Sequence, residues 1–150
     1  MNLSRGTVVV CSCEDTMAPD GETIAKGCGG ATVKQARQLC RSELDLFRKL
    51  AARPGTLVIG CTQEAPLFSE TAEAEALPAD LAFANIRETA GWAREGRAAG
   101  PKMAALIAAA AVEAPPVALV PLKSEGVILI YGRDEVAIEA GRSLAASLDG

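Results

Sequence analysis

The sequence predicts an α/β layered fold with a mostly parallel, Rossmann-like sheet and flanking helices. Three observations carry that reading. Short β-branched apolar runs recur along the chain, they lack polar alternation, and segments with helical spacing separate them. Uninterrupted apolar runs suit strands buried on both faces, and strands alternating with helices imply parallel crossover units.

The first strand is expected at Thr7–Val10, running into Cys11. The second, Thr56–Gly60, follows the Pro54-Gly55 turn signal and ends at Cys61. Leu81–Ile86 is a weaker third strand, and Gly126–Tyr131 is the fourth and strongest. Leu39, Leu44, Phe47, Leu50 and Ala51 keep helical spacing and predict a helix over Arg41–Ala52, which periodicity alone would extend back to Val33. Glu64–Ala74, Pro101–Glu113 and Glu135–Leu148 are the other expected helices, with Pro101 suited to a first helical position. Ala114–Lys123, with three prolines, reads as a linker or an edge crossing. The chain thus divides into an α/β domain over residues 1–113 and a linker plus strand–helix unit over residues 114–150. That second part is either the start of another Rossmann-like unit or packed on the first. A terminal strand–helix pair usually calls for a next parallel strand, so the sequence reads equally as a truncated module and as a domain that ends there.

At 150 residues the chain can bury roughly two-thirds of its unfolded surface in one core. Aromatic residues make up only 3%, so small aliphatic side chains must fill that core. A formal charge of −4, with basic residues such as Arg37, Lys49 and Arg94 mixed among acids, argues against a nucleic-acid partner. The N-terminal apolar run is too short for a signal peptide. The longest apolar stretch, Met103 to Val112, falls far below the roughly 20 residues of a membrane span. A cytoplasmic location is therefore expected.

Cys11, Cys13, Cys28, Cys40 and Cys61 account for all five cysteines, and the chain has no histidine. Thiolates bind soft metals and iron–sulfur clusters, while the missing histidines remove Cys/His protease pairs, Rieske centres and His-ligated zinc or haem. In a reducing compartment, five cysteines suggest metal or redox chemistry over structural disulfides. Ligands in an open α/β sheet collect beyond the carboxyl ends of the strands. Cys11 and Cys13 follow one strand, Cys61 follows another, and Cys40 lies at the expected helix start, where the helix dipole favours a thiolate. These four could supply the donors of a cubane cluster or a tetrahedral zinc site. The spacing matches neither a ferredoxin run nor the paired CxxC of a zinc ribbon. A redox thiol pair and inert buried thiols therefore remain open beside a metal site. Cys28, in the Gly27-Cys28-Gly29-Gly30 turn, reads as an exposed bystander or as an alternative fourth ligand to Cys13.

One longer pattern adds to this. Gly60-Cys61-Thr62-Gln63-Glu64-Ala65-Pro66-Leu67-Phe68, then Phe83-Ala84-Asn85-Ile86-Arg87-Glu88 and Trp92, resembles the N-terminal domain of the heterodisulfide reductase A subunit family. Val9-Val10-Cys11-Ser12-Cys13 and Leu39-Cys40 look like that family's CxC and lone-Cys elements. The resemblance covers about residues 7 to 113, with the motifs in the same order. It implies a [4Fe–4S] cluster in an electron-transferring flavoprotein or a relative of one, held by Cys11, Cys13, Cys40 and Cys61. In the family a flavin-binding GxGxxG turn follows. Here the corresponding segment is Gly132-Arg133-Asp134-Glu135-Val136-Ala137, whose acids and missing glycines argue against FAD binding by this chain. Electrons would then pass to redox protein partners or further domains.

Near the same sheet edge, Arg87 could place positive charge beside an anionic cluster and Asn85 could donate to a sulfur. A purely structural Arg87–Glu88 or capping network is the competing reading. Trp92 reads as a core or interface anchor, or as a solvent shield. Thr62 is a candidate helix cap, Glu14 and Asp15 a solvated loop, and Glu70, Glu73 and Glu75 an exposed helix face. No general base, nucleophile–base pair or phosphate loop is evident. The expected function is a non-catalytic electron relay in or for a larger oxidoreductase. The alternatives are a zinc-binding or cluster-free docking domain, and a thiol–disulfide protein using Cys11 and Cys13.

Overall fold

Val8, Val9 and Val10 are at most 1% exposed, so the strand that carries them has no solvent face. This strand, β1 (Thr7–Cys11), is followed by α1 (Gly21–Gly27), β2 (Thr32–Ala36), α2 (Leu44–Ala51), β3 (Gly55–Ile59), α3 (Ala65–Ala74) and β4 (Ala79–Phe83). A π-helical turn (Arg87–Gly91), a short 3-10 turn (Gly96–Ala98) and α4 (Gly100–Ala110) complete the first unit, Met1–Ala114. These assignments come from a computed structural model that describes Leu3 and residues 6–112, 120, 121, 123 and 126–147.

Among the described residues the sheet has four strands, all parallel, in the order β2-β1-β3-β4. Successive side chains of a strand point to opposite faces. Val8, Val10 and Val58 accordingly join Ile24 of α1 and Met103 and Ile107 of α4 on one face. Val9, Leu57 and Ile59 join Phe47 of α2 and Phe68 of α3 on the other. Helices therefore cover both faces, and the strand order reverses direction between β1 and β3. In doubly wound sheets that reversal opens a crevice outside the carboxyl ends of the two strands.

Local chemistry explains the helix ends. Asp20 caps α1 by accepting from the Glu22 and Thr23 backbone N–H groups at 3.0 and 3.1 Å. α1 can then press directly on α4, because a Cβ on Gly27 would stand 2.5 Å from the Ala104 Cβ. Prolines open α3 and α4, where a missing N–H costs nothing. Thr62 does not cap α3: Glu64 precedes the helix and no side chain caps it, while the Thr62 carbonyl accepts from Ala65 N–H.

Sequence and structure part company at several elements. Val33 lies in β2, an edge strand whose polar residues gave no apolar run to recognise. The helix expected from Arg41 begins only at Leu44, because residues before it form the turn that carries Cys40. The second unit, Pro115–Gly150, contains α5 (Glu135–Ser147), but Gly126–Tyr131 is not a strand. Its Val127, Leu129 and Tyr131 are 87%, 89% and 93% exposed. β-Propensity makes a strand only where a neighbouring strand pairs with it. The expected Ala114–Lys123 linker lies largely outside the described residues, as do the far ends of the helices expected to reach Glu113 and Leu148.

Phe47 is fully buried, with its ring centroid 4.9 Å from that of Phe68. Phe47→Ala should lower unfolding free energy by about 3–5 kcal/mol. Urea denaturation followed by circular dichroism measures this directly.

Candidate functional site

Two residues beyond the paired Val9 and Ile59, Cys11 and Cys61 leave the carboxyl ends of adjacent strands. Each is half-buried, as are Cys13 and Cys40. All four line one cavity of about 60 Å³, together with Met17, Leu39, Phe68 and Arg87. The structure thus brings the four cysteines together at the strand-order reversal. Among the described residues, no three Cys, Asp or Glu side chains are grouped so as to hold a single metal ion.

Cys28 lies elsewhere. It is 4% exposed, belongs to the core beneath α1 and α4, and aims its sulfur at the Ala104 carbonyl at 3.6 Å. It is neither an exposed bystander nor a lining residue of the cavity. The glycines around it suggested an open turn, but Cys28 itself closes the C-terminus of α1 and faces inward.

The loop after β1 takes an unusual path. Cys13, Glu14 and Asp15 have φ values of 52°, 58° and 65°, three consecutive left-handed residues without a glycine. Each such residue costs about 1–2 kcal/mol, so the turn persists only because its surroundings hold it. Ser12 and Glu14 N–H donate to the Ala36 and Arg37 carbonyls at 2.8 and 2.9 Å. Arg37 Nε reaches Asp15 at 2.7 Å, and Ser12 Oγ donates to the same carboxylate at 2.9 Å. Asp15 is solvated as expected but not free: the Arg37 guanidinium beside it, and then Ser12, hold its carboxyl below the ordinary value of 3.8.

Backbone donors from the loops after β1 and β2 reach one sulfur. Cys13 N–H and Leu39 N–H approach Cys11 Sγ at 3.4 and 3.5 Å. Cys40 sits in a turn pinned by Glu43, whose carboxylate accepts from both Arg37 and Gln38 N–H at 2.6 Å. Burial pushes the Cys40 thiol up, and the nearby Glu64, Cys61 and Cys11 push it the same way. The expected dipole benefit is absent because α2 starts four residues later. Burial also pushes the Cys61 thiol up, opposed by the Glu64 backbone N–H and the Arg87 charge.

Arg87 stands beside a cavity sulfur and also forms the expected pair with Glu88. Its Nη1 donates to Cys13 Sγ at 3.3 Å, its Nε and Nη2 pair with Glu88 at 2.8 and 2.5 Å, and its Cζ stands 4.5 Å from the Trp92 ring centroid. Asn85 does not contact sulfur. Its side-chain oxygen accepts from Glu88 N–H at 3.2 Å, and its carbonyl accepts from Thr89 Oγ1, so it caps the π-helical turn. Trp92 is 52% exposed and no core anchor; its indole N–H donates to Thr16 Oγ1 at 3.1 Å. Thr16 and Met17, which sequence reasoning passed over, are drawn in by the left-handed turn. No sequence signal marks a glycine-free turn of that kind.

No protein-family model, curated protein or solved structure matches this chain.

Two outcomes check this geometry. Iodoacetamide under native reducing conditions should modify Cys28 last, since a buried thiol with a raised pKa is a poor nucleophile; mass spectrometry after timed quenching shows the order. A carboxyl with a lowered folded pKa contributes stability fully above its unfolded pKa and loses it as pH falls through the folded value. Asp15→Asn should therefore lower stability at neutral pH and flatten the decline between about pH 5 and 2, as read from urea midpoints across that range.

Proposed function

We propose that this protein is an electron-transfer module that carries one [4Fe–4S] cluster on Cys11, Cys13, Cys40 and Cys61. The observation that carries the proposal is the convergence of these four thiols, and not the fifth, on one cavity at the switch point of a parallel sheet. The donor set fits such a group: four sulfurs, no competing nitrogen ligand, backbone N–H groups directed at Cys11 and a guanidinium on Cys13. The resemblance to the heterodisulfide reductase A subunit family points the same way.

The bound group would supply one-electron transfer. The chain's own residues do the rest. Leu39 and Phe68 keep water from the cavity, N–H donors stabilise sulfur charge, and Arg87 offsets the negative charge that a reduced centre accumulates. No substrate chemistry is required of the fold. Donor and acceptor are redox proteins or further domains that approach the strand-end face.

Among the described residues, no helix is long and apolar enough to cross a membrane.

Anaerobic purification or reconstitution should give about four irons and four acid-labile sulfides per chain, with visible absorption that bleaches on reduction. Serine at position 11, 13, 40 or 61 should sharply reduce that content, whereas Cys28→Ser should retain it. A colourless protein holding one zinc would sink the cluster reading.

A further inference from the structure

Arg87 does not rest on Cys13 alone. A closed circuit of contacts runs from Cys13 Sγ to Arg87, from Arg87 to the Trp92 ring, from the Trp92 indole N–H to Thr16 Oγ1, and from the Thr16 hydroxyl to the Cys13 carbonyl at 2.8 Å. Two chain segments close it: the left-handed loop after β1 and the π-helical turn after β4.

The π geometry is what brings Arg87 and Trp92 together. In an α-helix, residues five apart point about 140° away from each other around the axis. Here Gly91 N–H bonds the Ile86 carbonyl at 2.7 Å and Trp92 N–H bonds the Arg87 carbonyl at 2.9 Å, both closing five residues back. The wider turn lets the indole lie against the guanidinium of Arg87, whose carbonyl accepts from the Trp92 backbone N–H. Gly91 lets this turn approach the loop, since a Cβ there would stand 2.2 Å from Met17 Sδ.

We propose that Trp92 and Thr16 are positioning residues that fix the Arg87 guanidinium on the Cys13 sulfur. The energetic logic is that of preorganisation. A free arginine side chain samples many rotamers and would shield a sulfur charge only part of the time. Glu88 alone could also draw the guanidinium away, because it pairs with two of its nitrogens. The indole face on one side and the Thr16 anchor behind it leave the guanidinium one place to stand. Cys13 thereby keeps a positive charge in hydrogen-bond contact with its sulfur. In the cluster-bearing protein, which rests on the function proposed above, this favours the added electron and raises the reduction potential.

The test has a metal-free arm and a loaded arm. Trp92 is the sole tryptophan, so its indole N–H resonance and its quenching by acrylamide report the bracket without any cluster. In the reduced, metal-free protein, Thr16→Val should move the indole resonance upfield, and Thr16→Ser should restore it. Arg87→Gln should raise acrylamide quenching. In anaerobically reconstituted protein, Arg87→Gln should shift the midpoint potential to a more negative value, and Trp92→Ala should shift it the same way by less. Trp92→Phe, which keeps a ring under the guanidinium, should recover part of the loss. Adding Trp92→Ala to Arg87→Gln should produce no further shift, because the tryptophan acts through the arginine.

An indole resonance and quenching unchanged by both Thr16→Val and Arg87→Gln would overturn the proposal. So would a Trp92→Ala shift of the same size with and without Arg87. A wild-type protein that takes up neither iron nor sulfide would end the cluster reading instead, and the metal-free arm would still decide the bracket.

Discussion

The burial of β1 on both faces is the constraint from which the rest of the molecule follows. Three consecutive valines cannot all turn away from water unless helices cover the sheet on either side. Covering both sides means that the chain crosses over one face, returns to the centre, and then crosses the other. The reversal falls between β1 and β3 and leaves a crevice beyond their carboxyl ends. Cys11 and Cys61 end these two strands. A packing requirement at Val8–Val10 thereby sets where the cysteine-lined cavity opens at the strand ends.

The loops then refine what the sheet supplies. β1 and β3 deliver two sulfurs, whereas Cys13 and Cys40 arrive on turns that ion pairs and caps hold in place. Arg37 is central to this: its carbonyl takes the Glu14 N–H and faces Cys11 Sγ, its own N–H goes to Glu43, and its side chain takes Asp15. The loop after β1 and the loop after β2 are joined chiefly through this residue and Ala36. Exposed ion pairs contribute little to stability individually, but here they fix geometry.

Legibility in the sequence followed burial. Strands with continuous apolar runs were readable, since Val8–Val10 and Leu57–Ile59 have no other use. β2 was not, because an edge strand with Lys34 and Gln35 needs only one buried neighbour to be stable. α1 was missed although Asp20 carries its cap, since Ile24 is its single large apolar residue. GVILIY misled in the opposite direction: β-propensity describes fitness for a sheet and cannot provide the adjoining strand. At the site, Cys11, Cys13 and Cys61 were legible from their placement after strands, whereas Cys40 follows the unread β2 on a turn and not at a helix start. The inward turn of Cys28, the cap formed by Asn85 and the reach of Trp92 to Thr16 were not, because tertiary contacts decide them.

The left-handed turn at Cys13–Asp15 has one further meaning. Glycine adopts that backbone freely, and three glycines there would relieve strain at every step. The chain instead carries a sulfur and a paired carboxylate at positions where any side chain is a burden on the backbone. Side-chain identity has therefore outweighed conformational ease in this loop. Among the described residues, that makes it the segment in which backbone ease and side-chain identity are most directly opposed.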